Sequence, residues 1–97
     1  MRIRWTARAA RDLTYICDYI ERHDSRITAR RVALSIYERV SALKKFPEQG
    51  KPGRKAGTRE LIFTGLPYLA IYRLQERAEE NVVEILRILH AAQDWPK

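Results

Sequence analysis

Arg73, Arg87 and His90 carry the side chains in this sequence best suited to chemistry on a phosphodiester. A histidine takes up or releases a proton near neutral pH. Guanidinium groups stabilise the charge that grows on a phosphorane. If a base activates a 2′-hydroxyl and an acid protonates the leaving oxygen, such a set cuts RNA without a metal. His90 closes an apolar run and precedes Ala91-Ala92-Gln93-Asp94-Trp95-Pro96, so it stands where a strand meets solvent. One histidine does not make an acid–base pair, and the structural alternative is that His90 holds the chain end by a hydrogen bond. Arg73 and Arg87 each interrupt an otherwise apolar stretch, and a half-buried guanidinium requires an anionic partner. That partner is either a phosphate on a binding surface or an internal carboxylate such as Glu60, Glu76 or Glu84.

A second feature is electrostatic. Between residues 44 and 59 the cations Lys44, Lys45, Lys51, Arg54, Lys55 and Arg59 face Glu48 alone, so this one stretch holds +5 of the chain's +7. Two prolines and three glycines between Pro47 and Gly57 predict an irregular loop whose backbone approaches phosphates closely. Lys51, Arg54, Lys55 and Arg59 are therefore candidate anion-binding or target-binding residues, the alternative being a solvated basic loop. Cys17 is the single cysteine and falls on the apolar side of a helical pattern, which excludes an internal disulfide. With it and the distant His23 and His90, the chain lacks the ligand cluster of a zinc site, and no metal or other cofactor is expected. No serine has the setting of a nucleophile elbow and no glycine motif that cradles phosphate occurs.

The elements that must position these groups follow from periodicity. Ile3 and Trp5 alternate with polar neighbours, which predicts a short strand. After Thr6, a candidate N-cap, apolar residues recur at Ala10, Leu13, Ile16, Cys17 and Ile20 and predict an amphipathic helix. Asp24-Ser25 ends it and caps a second, carrying Ala29, Ala33, Ile36, Val40 and Leu43, which stops before Pro47. Leu61-Ile62-Phe63 and Tyr68–Tyr72 read as a hairpin, residues 76 to 81 as a turn, and Val82–Leu89 as a central strand apolar on both faces. The order is β-α-α-β-β-β. It defines an α+β fold over residues 1–97 in one domain, with a helical hairpin on a mainly antiparallel sheet. The 97 residues, 45% hydrophobic and 32% charged, have an ordinary globular balance. No apolar run is long enough to span a bilayer and no signal peptide is visible, so a cytoplasmic protein is expected. Trp95, beside the chain end, is expected to dock on the sheet.

The segments Trp5-Thr6, Ala10, Asp12-Leu13 and Tyr19-Ile20, then Pro52-Gly53-Arg54 with Gly57–Leu61, then Pro67-Tyr68 with Tyr72-Arg73, and Ile85–Pro96 resemble the RelE/ParE superfamily of toxins. The match runs along essentially the whole chain. The resemblance implies the toxin of a type II toxin–antitoxin, or plasmid stabilisation, system that slows bacterial growth. It also implies a hetero-oligomer with an antitoxin whose acidic, partly disordered tail wraps the toxin. The helical hairpin and the sheet surface with Arg73, Arg87 and Tyr72 are the expected antitoxin contacts. ParE-like members of the superfamily poison DNA gyrase, whereas RelE-like members are ribosome-dependent mRNA endonucleases. In RelE-like toxins an arginine follows the tyrosine that opens the strand after the hairpin, and basic residues precede that hairpin. Here Leu69 follows Tyr68, and Glu60-Leu61-Ile62-Phe63 precedes it. The reading therefore leans to gyrase inhibition, with the endonuclease, using His90, Arg87 and Arg73, as its alternative. A non-toxic basic module that binds nucleic acid is a further alternative.

Overall fold

A computed structural model describes residues 1–96. Strand β1 (Arg2–Trp5) leads into helices α1 (Ala7–His23) and α2 (Arg26–Ser41), and a 3₁₀ turn follows at Ala42–Lys44. Strands β2 (Lys51–Pro52), β3 (Arg59–Ile62), β4 (Tyr68–Gln75) and β5 (Val82–His90) complete the chain. They form one sheet in the order β1-β5-β4-β3-β2, in which β1 runs parallel to β5 and the other pairings are antiparallel. The α+β class and the helical hairpin agree with the periodicity. β2 is additional: it lies inside the predicted loop and pairs Lys51 with Glu60 and Pro52 with Arg59. A two-residue strand is too short to show alternation, and Pro52 is tolerated in it because β2 is an edge.

Two side chains set the entry to the helices. Thr6 accepts from the Ala9 N–H at 3.1 Å, and its hydroxyl donates to the Ile85 carbonyl at 2.9 Å, so the cap of α1 is fastened to β5. Ser25 caps α2 by accepting from the Thr28 N–H at 3.0 Å. α1 buries Ala9, Leu13 and Ile16, and α2 buries Ala29, Ile36 and Val40. Ala10, assigned to the inner stripe by its spacing, is exposed; the inward position one residue earlier belongs to Ala9.

The hairpin's apolar side meets Leu61, Phe63, Ala70, Tyr72, Val83, Ile85 and Ile88 on one face of the sheet. The other face carries a smaller cluster of Leu69, Ile71 and Leu89, with Leu86 and Trp95 packed against it. β5 is thus buried on both sides, as its continuous apolar run predicts. A β-bulge interrupts it. Ile71 pairs with Arg87 but Tyr72 with Ile85, which leaves Leu86 unpaired and shifts the inward positions from Val83 and Ile85 to Ile88. Among the described residues no helix is long and apolar enough to cross a membrane.

Candidate functional site

Residues directly opposite one another across strands share a face, and on the face away from the helices this rule gathers cations around two carboxylates. Glu84 of β5 lies opposite Arg4 on one side and Arg73 on the other. Arg73 Nε donates to Glu84 Oε1 at 2.8 Å and Arg4 Nη1 donates to Oε2 at 2.9 Å. Glu84 is only 4% exposed, yet both arginines are about half exposed. Each keeps further N–H donors for another anion. Glu60, equally buried, accepts from the Arg54 backbone N–H at 3.0 Å and holds Arg54 Nε at 3.2 Å. These arginines are therefore braced by buried carboxylates at their base.

Arg73 and Arg87 are held by carboxylates on different elements. Arg87 lies at the bulge, and its Nε and Nη2 donate to the two oxygens of Asp12 at 2.7 and 3.2 Å. The expected partners of the two arginines were Glu60, Glu76 or Glu84. Arg73 takes Glu84, whereas Arg87 takes a residue of α1 that the strand-centred reading overlooked. Geometry explains Asp12. β1 ends at Trp5, opposite Ile85, so the Ile88 N–H beyond it donates to Asp12 Oδ2 at 3.0 Å instead of to a strand. Its sequence signal is the acidic residue four after Arg8 inside the Ala10–Leu13 motif; Arg8 Nε lies 3.8 Å from Asp12 Oδ1.

His90 ends β5 with its Nδ1 accepting from the Ala92 N–H at 3.1 Å, and its own N–H donates to Gln93 Oε1 at 3.0 Å. In the neutral ring the proton then sits on Nε2. The ring meets Tyr68 edge-on with centroids 5.7 Å apart. Beside it, Tyr15, Ile16 and Tyr19 of α1 face Tyr68, Ile88 and His90 across a cleft of about 680 Å³. Burial, then the nearby Tyr19 and Cys17, pushes the Tyr68 hydroxyl above its ordinary value.

The basic loop is built rather than loose. Tyr72 is fully buried; its hydroxyl donates to the Pro47 carbonyl at 2.7 Å and accepts from the Gly50 N–H at 2.9 Å. A Cβ at Gly50 would stand 2.8 Å from the Tyr72 ring, so this approach needs glycine. Arg59 Nη1 donates to the Gly50 carbonyl at 2.7 Å. Tyr72 was expected to meet an antitoxin, but a side chain with no exposed surface acts on a partner only through the loop it fixes. Burial raises its pKa, opposed in part by the Gly50 N–H and the Arg59 charge. Lys51 and Lys55 are exposed, and no ion pair among the described residues involves them.

An N-terminal strand, a helical hairpin and a mixed five-stranded sheet form the architecture of RelE/ParE-type toxins, and comparison with known proteins agrees. The model of the ParE toxin of type II toxin–antitoxin systems (parDE) matches residues 3–95. The chain is 46% identical over 96 residues to "Putative toxin Y4kP" of Sinorhizobium fredii, a match covering 99% of this chain and 94% of that protein. It is 39% identical over 88 residues to "Toxin RelE2" of Caulobacter vibrioides, covering 91% and 92%. Among solved structures, one described as a chromosomal ParDE toxin–antitoxin system from P. aeruginosa superimposes with a TM-score of 0.84 at 29% identity, over 93% of this chain and 95% of that one. The toxin–antitoxin complex RelBE2 of Mycobacterium tuberculosis gives 0.67 at 28% identity, over 92% and 95%. The chain belongs to the ParE toxin family. It is the toxin of a type II toxin–antitoxin system, which sets aside the non-toxic binding module.

Proposed function

We propose that this toxin arrests growth by inhibiting DNA gyrase and does not itself cut RNA. One observation carries the reading. Leu69, the residue after the tyrosine where RelE-like nucleases resemble one another in having arginine, is 4% exposed and packs with Ile71 and Leu89 under Trp95. A phosphate has no access to that position and meets no charge there. Arg87 supports the same reading, since Asp12 holds its guanidinium through both Nε and Nη2 in a largely enclosed place, and His90 Nδ1 is occupied by a backbone N–H. The positive loop and the braced arginines supply the attraction for an enzyme that carries DNA.

Neutralisation falls to an antitoxin with an acidic, amphipathic segment. Ile27, Leu34 and Tyr37 of α2 are exposed apolar residues on a helix that also bears Arg26, Arg30 and Arg31. Such a surface suits a partner that offers apolar anchors between carboxylates. Arg73 offers a further cation on the opposite face of the sheet, whereas Arg87, largely enclosed with Asp12, contributes little.

Induced expression in a bacterial host tests the target. Growth arrest with induction of the SOS response and intact mRNA is the expected outcome, unchanged by His90→Ala. Cleavage of mRNA at ribosomal A-site codons, abolished by His90→Ala, would establish the endonuclease instead.

A further inference from the structure

The outward side of α2 carries an internal symmetry. The helix buries Ala29, Ile36 and Val40, while Ile27, Leu34 and Tyr37 on its other side are exposed by 76%, 54% and 49%. Apolar side chains gathered in this way gain free energy when a partner takes them out of water. Tyr37 is held in place by Trp5 of β1, with ring centroids 5.1 Å apart, and still offers half of its surface. Arg30, Arg31 and Glu38 are exposed on the same side, and among the described residues none of them forms an ion pair.

At about 3.6 residues per turn, positions seven apart fall almost on one line along a helix. Ile27, Leu34 and Ser41 make the central line of the outward side. Arg31 and Glu38 make a line on one flank, and Arg30 and Tyr37 make a line on the other. A second α2 laid antiparallel on the first, with a two-fold axis beside Leu34, sets each position before Leu34 against one equally far after it. Leu34 then meets its own counterpart. On one flank Arg31, three residues before Leu34, meets Glu38, four after it. On the other flank Arg30 meets Tyr37, and a guanidinium over a phenol ring is favourable. Each flank contact occurs twice in a two-fold pair. The face is therefore complementary in charge and in apolar surface to its own reverse. Parallel helices would instead set Arg31 against Arg31 and Glu38 against Glu38.

We propose that, in the absence of antitoxin, the toxin pairs with a second copy of itself through an antiparallel α2–α2 contact centred on Leu34. One helix crossing covers less than the about 1,200 Å² of a standard interface, so the dimer is weak and forms in the micromolar range. Two bodies of +7 also repel each other, so the association strengthens as salt screens them. This face is also the one assigned to the antitoxin, but the pairing stands on the geometry of α2 and does not depend on that assignment.

Sedimentation equilibrium of the intact toxin, free of antitoxin and run across the micromolar range, tests the pairing. The average mass should rise from monomer to dimer with concentration, and added salt should tighten the dimer. Leu34→Asp should weaken it at least about a hundredfold, since it removes the central apolar contact and sets two carboxylates together at the axis. Arg31→Glu and Glu38→Arg should each weaken it about tenfold, because the altered pair occurs twice. The double variant should restore it, since both pairs are rebuilt with their signs exchanged and the chain returns to +7. All three residues face solvent, so unchanged thermal melting will show that the variants fold. A mass that stays monomeric, a dimer that loosens with salt, or one indifferent to Leu34→Asp would overturn the proposal. So would a double variant no better than the single ones, and so would masses beyond the dimer, which mark an open head-to-tail contact. The assay contains neither antitoxin nor gyrase, so its outcome is independent of the gyrase reading.

Discussion

Individual carboxylates and one phenol decide how much of this molecule's charge is free to act. Asp12 satisfies the Arg87 guanidinium and the Ile88 N–H together, so Asp12→Ala leaves both without a partner in a half-enclosed place. Denaturant unfolding should show a loss of about 2–3 kcal/mol. A loss below ~0.5 kcal/mol would mean that water replaces the carboxylate freely. Tyr72→Phe removes one donor and one acceptor from the loop backbone and should cost about 1–2 kcal/mol at neutral pH. It should also alter the alkaline limb of stability. The folded-state pKa of Tyr72 is raised above the ordinary tyrosine value of 10.0, so its hydroxyl contributes stability that is complete below about pH 10 and is lost as pH climbs through the raised value. The parent's melting temperature should therefore fall more steeply above pH 10 than that of Tyr72→Phe; parallel curves would contradict the assignment. The sequence made Arg73's need for a carboxylate readable, because a cation inside an apolar strand demands one. It hid Asp12, because the need for it arises only where β1 stops short of Ile88, a matter of register across 76 residues.

At the level of elements, the helical hairpin and β5 were readable because their apolar periods are long and their caps, Thr6 and Ser25, are of the expected kind. β2 and the bulge at Leu86 were not, since both are set by pairing with other strands rather than by their own residues. The segment after β5 is the element with the most direct consequence. Trp95 covers Leu69, Ile71 and Leu89, and the segment is pinned by the Ala91 N–H on the Pro67 carbonyl at 2.8 Å and by the His90–Gln93 hydrogen bonds. Trp95→Ala should uncover that apolar shelf and destabilise the fold by about 2 kcal/mol, read as a lower denaturant midpoint at unchanged slope. An unchanged midpoint combined with lost toxicity would show that Trp95 serves the target and not the fold.

Across the whole molecule the +7 charge is uneven, with +5 between residues 44 and 59, while the carboxylates of Glu60 and Glu84 brace three arginines on the open face of the sheet. The composition made the basic surface readable, but not that its arginines are fixed in place, which depends on strands 11 to 80 residues apart. Binding to the antitoxin should accordingly weaken with ionic strength, and Lys51→Ala with Lys55→Ala should reduce that salt dependence while leaving stability within about 0.5 kcal/mol. Isothermal titration at several salt concentrations checks it; a salt-independent affinity would mean that apolar contacts on α2 dominate. The target itself is tested most directly with purified components, by adding the toxin to DNA gyrase, ATP and relaxed plasmid. Supercoiling should be blocked and broken plasmid should accumulate, with ribosome-bound mRNA intact in a parallel reaction. Undisturbed supercoiling beside cleaved mRNA would contradict gyrase as the target.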